Sequence, residues 1–335
     1  MSIPFPGEVA ALTAAFLWAA ATLMFGKMGR SLSPVVLNLV KGVFAIAFIA
    51  LTLAVRSFFA PTVDPVALPK PALSAASVIY LLISGGIGIG LGDTAYFSAI
   101  NSLGARRALL LETLAPPMAA VLALIFLSEQ LSVMSVIGIG LTLLGIAWVI
   151  SERVPGTNKK ALGQGIKVAL LATFCQAAGA VLSRAALLEV AVDPLWSSLL
   201  RLLAGLATMG VLVAVQPQRL GEYQPDSDQR TTNRSDPTSG QSDSWQRRWQ
   251  SSWVALKSPR FLVSVAIAAF FATYLGIWLQ QIALKYTAAG IAQALLATSP
   301  LFVLPMAAVM GDRISWRATI GAAIALSGVW ILLYT

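Results

Sequence analysis

Long apolar runs, each nearly free of charge, follow one another along the whole chain. Uncharged runs cover 9–26, 71–92, 113–128, 130–151, 202–218, 261–284, 286–311 and 318–335, and two more, 34–55 and 167–188, carry isolated charges. A helix needs roughly 20 predominantly apolar residues to cross the hydrocarbon core. The pattern therefore predicts an all-α membrane protein with ten transmembrane helices. The one long polar stretch, 216–259, is rich in Gln, Ser, Asp, Arg and Pro and cannot bury enough apolar surface to fold alone, so it is expected to be a largely disordered loop. Its last part, SDSWQRRWQSSWVALK, spaces Trp245, Trp249 and Trp253 four apart beside Arg247, Arg248 and Lys257. That is the pattern of a helix lying in the headgroup layer, or else of a tether that happens to carry tryptophans.

The runs divide into two sets of five that resemble each other. The segments GDTAYFSAINSLGA, APP, SEQLS and GIGLTLLG can be laid on GIWLQQIALKYTAAG, TSP, GDRIS and GAAIALSG. Pro117 then meets Pro300, Glu129 meets Asp312, Gly138 meets Gly321 and Gly145 meets Gly328; nearer the front of each set, Phe16 meets Phe174, Pro34 meets Pro194 and Lys41 meets Arg201. The expected organisation is a first repeat over 7–151 and a second over 163–335, with the polar loop 216–259 inside the second. Five is odd, so two five-span copies must enter the membrane in opposite senses. Loop charges agree: sixteen Lys and Arg fall in the loops after the odd-numbered spans, and four, Arg56, Lys70, Arg184 and Lys285, on the opposite side. The positive-inside rule puts the richer side, and with it the polar loop, in the cytoplasm and both termini outside.

Composition confirms the class and narrows the chemistry. Of 335 residues, 57% are hydrophobic and 11% charged, and the mean hydropathy is +0.79. A net charge of +9 would invite a nucleic-acid partner in a soluble protein, but here it marks cytoplasmic loops, and no nucleic acid is expected. There is no histidine and a single cysteine, Cys175, which excludes disulfides, His or Cys-cluster metal sites and histidine acid/base chemistry. No cofactor is expected. The residues before Val9 lack the basic start of a cleavable signal, so the first run is read as a mature helix.

The stretch SGGIGIGLGDTAYF from Ser84 to Phe97 invites three readings. A dinucleotide fingerprint needs a third glycine where Leu91 stands, and a strand before it. Gly90, Leu91, Gly92 and Asp93 match the GxGD of intramembrane aspartyl proteases, but that chemistry needs two carboxylates sharing a proton, and no other run contains an aspartate. The third reading is a packing helix: Gly86 and Gly90, and Gly88 and Gly92, stand four apart and would admit a neighbouring backbone closely. Such a helix would deliver Asp93 towards its cytoplasmic end.

The block GDTAYFSAINSLGARRALLLETLAPP, the junction LSEQLS followed by GIGLTLLGIAWVI, and the second copy ending ATSPLFVLPMAAVMGDRISWRATIGAAIALSGVWILL together resemble the drug/metabolite transporter superfamily, in its EamA-type branch. The resemblance spans nearly the whole chain except the polar loop. It implies ten spans in two repeats, a central cavity that opens alternately to either side, and a small metabolite as substrate, without saying which. The corresponding function is a secondary active transporter, an exporter of amino-acid-like or other organic anions, with no enzymatic activity. The expected location is the plasma (inner) membrane, as monomer or homodimer. A GxGD protease and a non-transporting scaffold or sensor remain the alternatives.

Charges inside apolar runs cost free energy and mark candidate functional residues. Lys41, Asp93, Glu112 and Arg201 qualify. Lys41 and Glu112 are expected to form an ion pair, with Arg106 or Arg107 available to Asp93. Arg201 has no carboxylate within its own half of the chain, so it either reaches back to the surface or awaits an anionic substrate. Glu112, just before Pro116 and Pro117, is the candidate for proton coupling, with Asp93 second; its plainer role is as counter-ion to Lys41. The amides of Asn38, Gln176, Gln280, Gln281 and Gln293 would supply polar cavity contacts, and Trp18, Tyr96, Tyr274 and Trp278 apolar walls. Each of these alone is more often a helix-packing or interfacial residue than a ligand contact; as a set they favour a polar cavity. Pro116, Pro117 and Pro300 are expected bend points.

Overall fold

The computed structural model describes residues 5–28, 34–59, 73–103, 108, 111–150, 159–189, 192–215, 258–309 and 316–334. Trp245, Trp249, Trp253, Arg106 and Arg107 lie outside the described residues. Every regular element among the described residues is helical. In order they are α1 (Pro6–Met28), α2 (Pro34–Phe59), α3 (Ala75–Ser84), a π-helical segment (Gly85–Gly92), α4 (Asp93–Leu103), α5 (Ala115–Leu127), α6 (Val133–Ile150), α7 (Lys159–Leu187) and α8 (Pro194–Val215). There follow α9 (Pro259–Ala269), a second π-helical segment (Phe270–Leu275), α10 (Gly276–Tyr286), α11 (Ala289–Leu296), α12 (Ser299–Val309) and α13 (Trp316–Leu333).

Among the described residues five helices are long and apolar enough to cross a membrane: Val36–Phe59, Ala75–Tyr96, Gly163–Leu187, Pro194–Leu212 and Pro259–Tyr286. Shorter apolar helices, Pro6–Ala21, Ala115–Leu127, Val133–Trp148, Ala289–Val303 and Thr319–Leu333, occupy the other apolar runs. Buried positions are dominated by small residues such as Ala10, Ala14, Ala119, Ala177 and Ala180, while large apolar side chains such as Phe58, Phe126 and Trp330 point outward. Close helix approach through small residues, with bulky groups left for lipid, is the packing logic of a bilayer protein.

Two local features occur twice. The first π segment ends at Gly92 and the second ends immediately before Gly276, the residue matched to Gly92 by the sequence duplication. The glycines of the first let its neighbours reach the backbone. A Cβ on Gly85 would lie 2.2 Å from the carbonyl oxygen of Arg201 on α8, and one on Gly90 2.5 Å from Thr208 Cβ. On the α7 side, a Cβ on Gly179 would lie 3.0 Å from Gly88 Cα. The glycine stretch is thus a packing element wedged between α7 and α8, wound as a π-helix where spacing alone implied an α-helix. The second π segment uses aromatic contacts instead, Phe270 and Tyr274 meeting Phe48 of α2 at 5.3 and 5.9 Å between ring centroids.

The second repeated feature is a break before a proline. The turn at Leu111 closes with the Leu114 amide donating to its carbonyl at 3.1 Å, and α5 then begins with Pro116 and Pro117 in its first turn. Likewise the Thr298 amide donates to Leu295 at 3.2 Å, and α12 begins with Ser299 and Pro300. Proline lacks only an N–H that has no acceptor in a first turn. These prolines start new helices; a proline inside a helix occurs at Pro305 of α12.

Packing between the halves is reciprocal. α1 packs on α10, α11 and α12, while α7 packs on α3, the first π segment, α4 and α5; α2 packs on the second π segment and α8 on the first; α5 meets α11, and α6 meets α13. The last pair cross through glycine. A Cβ on Gly138 would lie 3.2 Å from the Gly328 oxygen, and one on Gly145 2.5 Å from the Gly321 oxygen. The lower number of one helix faces the higher of the other, so α6 and α13 run antiparallel.

One face of the bundle gathers many chain reversals. Phe5 and Tyr334 stack edge-on at 6.3 Å, and a Cβ on Gly7 would touch Thr287. There Arg56 pairs with Asp193 at 3.0 Å, and the Ser74 hydroxyl donates to Glu189 at 2.8 Å. This bond and Ser77 hold the Glu189 carboxyl below its ordinary value of 4.5. The tie is therefore present at neutral pH and lost as pH falls through the lowered value.

Candidate functional site

Asp93 is the centre of a cluster drawn from both halves. It is the first residue of α4, directly after the glycine π segment, whose bare backbone lets α7 and α8 close in on it. From α7, Gln176 donates its amide nitrogen to Asp93 Oδ1 at 3.1 Å. From α2, Lys41 interacts electrostatically with Asp93, and from α8 so does Arg201. Asn38 of α2 lies within electrostatic reach of Asp93, but its amide nitrogen is outside hydrogen-bonding geometry. One turn along α4, the Tyr96 hydroxyl hydrogen-bonds Glu112, whose carboxyl also feels Asp93.

This arrangement corrects two expected pairings. The electrostatic partner of Lys41 is Asp93, not Glu112, and Glu112 is held by Tyr96. Arg201 does have a carboxylate, but on the other half of the chain. Nor does it reach back to the surface: it is only 2% exposed. Its Nη1 makes a long contact of 3.5 Å to Gln280 Oε1 of α10, and its Nε has no acceptor. Buried donors are nearly always paired, so Arg201 Nε and Asn38 Nδ2, which have no hydrogen-bond partner, keep capacity for a further acceptor.

Lys41, Asp93, Tyr96 and Glu112 sit deep among surrounding atoms yet keep accessible surface. Two cations, two carboxylates, a phenol and two or three amides can bind a small polar solute by charge and hydrogen bonds. Among the described residues no group of three or more His, Cys, Asp or Glu could hold a metal ion.

Other expected site residues are placed elsewhere or in other bonds. Gln281 is fully buried and accepts from Ser197 at 2.7 Å and from Ser183, joining α7, α8 and α10. Trp18 donates its indole N–H to Ala272 at 2.8 Å, and its ring fills the space beside Gly276. Tyr274 shares a hydroxyl bond of 2.8 Å with Thr52 and stacks on Trp278 at 6.0 Å. Gln293 lies on α11, half-buried, and is not among the groups that interact with Asp93.

A second polar network was not anticipated. Glu129, between α5 and α6, accepts from Arg184 Nε at 2.6 Å and from the Ala289 amide at the start of α11 at 3.0 Å. Arg184 also donates to the carbonyls of Leu284 and Lys285 at 2.8 and 2.6 Å, and Lys285 donates to Val192 at 2.6 Å. In the sequence Arg184 and Lys285 counted only as charges on the poorly charged side. Their membership of that small set was the available signal.

With this geometry in view, comparison with known proteins gives a firm result. A family model described as the EamA-like transporter family matches residues 5–151 and 243–334. The chain belongs to the EamA-like transporter family. The matched EamA segments cover α1–α6 and α9–α13, and so include Asn38, Lys41, Asp93, Tyr96, Glu112 and Gln280, while Gln176 of α7 and Arg201 of α8 fall between them. A solved structure described as "Crystal structure of protein" covers 98% of this EamA chain and 98% of its own length, with TM-score 0.65 and 17% identity. That likeness concerns the fold alone. No curated protein matches the chain.

Proposed function

We propose that this member of the family is a secondary active transporter, an exporter of small amino-acid-like or anionic metabolites across the plasma (inner) membrane. It works by alternating access between two inverted five-helix repeats, 7–151 and 163–335. The observation that carries the reading is the cluster around Asp93. Lys41 and Glu112 come from one half, Gln176, Arg201 and Gln280 from the other, and they meet in the interior with unpaired donors on Arg201 and Asn38. Charges kept inside an apolar bundle at this cost are expected on a solute path. The inverted arrangement is supported by the antiparallel crossing of α6 and α13 through matched glycines and by reciprocal packing of α1 and α7.

In this reading Arg201, Lys41, Asn38, Gln176 and Gln280 bind the solute, Tyr96 and Trp278 wall the space, Glu112 with Asp93 couples transport to protons, and the breaks before Pro116, Pro117 and Pro300 are bend points. The protease reading is not favoured: Asp93 is flanked by two cations, and the neighbouring carboxylate is a glutamate held by tyrosine. The test is counterflow in proteoliposomes with a panel of metabolites, with and without a pH gradient. Saturable exchange of at least one small polar solute is expected. Its absence across the panel in correctly folded protein counts against transport.

A further inference from the structure

The network of Glu129 and Arg184 has no part in the Asp93 cluster, yet it ties the two halves of the chain together at one face. Its geometry is specific. Arg184, near the end of α7, donates to the last carbonyls of α10, while Glu129 accepts from the first amide of α11. A cation at a helix C-terminus and an anion at a helix N-terminus each meet a complementary partial charge. The two side chains are themselves joined at 2.6 Å. The α10–α11 corner is therefore gripped at both ends by one ion pair, whose acid comes from the first half of the chain and whose base comes from the second.

Two further ties on the same face link the halves: Arg56 with Asp193 at 3.0 Å, and Ser74 with Glu189 at 2.8 Å. They are not equal. The Arg56–Asp193 side chains are 51% and 33% exposed, whereas Arg184 and Glu129 are 13% and 14% exposed. Exposed pairs contribute little, and partly desolvated charge-assisted bonds contribute more. The chain reversals on this face belong to the poorly charged side of the sequence, which the positive-inside rule assigns to the outside.

We propose that the Glu129–Arg184 pair, gripping the α10–α11 corner, is the latch of an outer gate: the structure is closed outward, and the pair must part for the interior space to open to the outside. This rests on the alternating-access reading above. Opening would separate the acid of one half from the base and helix end of the other. Both interactions of Glu129 would then be lost together, which makes the latch a switch with two arrangements rather than a continuous hinge.

The test uses Gln176→Cys in a Cys175→Ser background as a reporter in the cluster, labelled by a membrane-impermeant maleimide added to one face at a time. Glu129→Gln and Arg184→Gln, each monodisperse and thermally within a few degrees of the parent, should raise outer labelling roughly tenfold and lower inner labelling, because favouring one state depletes the other. Unchanged outer labelling in a folded variant overturns the latch. So does a rise at both faces, which would mean general loosening. The underlying reading fails separately: absence of counterflow in the natural chain, which keeps Gln176, removes the carrier itself. Counterflow by the natural chain with no change of labelling in the variants removes only the latch.

Discussion

Arg201 shows how one buried side chain constrains function. Its Nε has no acceptor, its reach to Gln280 is long, and its countercharge Asp93 is shared with Lys41. An anionic solute could complete its bonds, and loss of a charge-assisted bond to a desolvated group typically costs about 1.5–3 kcal/mol. Arg201→Ala should therefore weaken counterflow of anionic solutes roughly tenfold or more while neutral ones change little. Equal loss for both in concentration series would show a purely structural arginine. Glu112 contacts Tyr96 and feels Asp93. If it carries the proton, Glu112→Gln abolishes gradient-driven movement and leaves solute exchange intact; parallel loss of both in the same vesicles would dismiss that role. Gln281 is a different case. It accepts from two serines on α7 and α8, so Gln281→Leu leaves buried hydroxyls unpaired and should cost about 1–3 kcal/mol, seen as a lower unfolding temperature in detergent.

At the scale of elements, glycine decides where helices touch. Gly145 of α6 has no room for a side chain, since a Cβ would lie 2.4 Å from the Ala325 amide nitrogen and 2.5 Å from the Gly321 oxygen, both backbone. Gly140 on the same helix has nothing within 4 Å. Gly145→Ala should thus cost about 1–3 kcal/mol by overpacking, whereas Gly140→Ala should be neutral or slightly stabilising; comparing their folded yields and unfolding temperatures checks the crossing. The first π segment makes the same point. Gly85→Ala would collide with the Arg201 backbone and push α8 away from Asp93, so its effect should reach transport as well as stability.

For the whole molecule, the informative quantity is which ends share a face. The proximity of Phe5 to Tyr334, Arg56 to Asp193, Ser74 to Glu189 and Glu129 to Ala289 requires these reversals to lie together. Single cysteines at 74 and 189 in a Cys175→Ser chain should accept impermeant reagent from the same side as the termini, and cysteines in the polar loop 216–259 from the other. Labelling of positions 74 and 189 from opposite sides would break the inverted arrangement.

Some of this could be read from the chain in one dimension, because it depends on quantities summed along it. Run length and apolarity set an all-helical membrane protein; repetition of GDTAYF-like and TSP-like segments marked a duplication; the charge count of alternate loops suggested which side faces the cytoplasm. Residues such as Lys41, Asp93 and Arg201 stood out for the same reason, as charges in apolar surroundings. What pairs with what was decided only in three dimensions. Lys41 meets Asp93 rather than Glu112, Arg201 meets a carboxylate from the opposite half, and Glu129 finds Arg184 and the start of α11. Such partnerships depend on helix direction, rotation and the extra width of a π turn, each set by how closely neighbouring backbones approach, and no single run of sequence contains its neighbour.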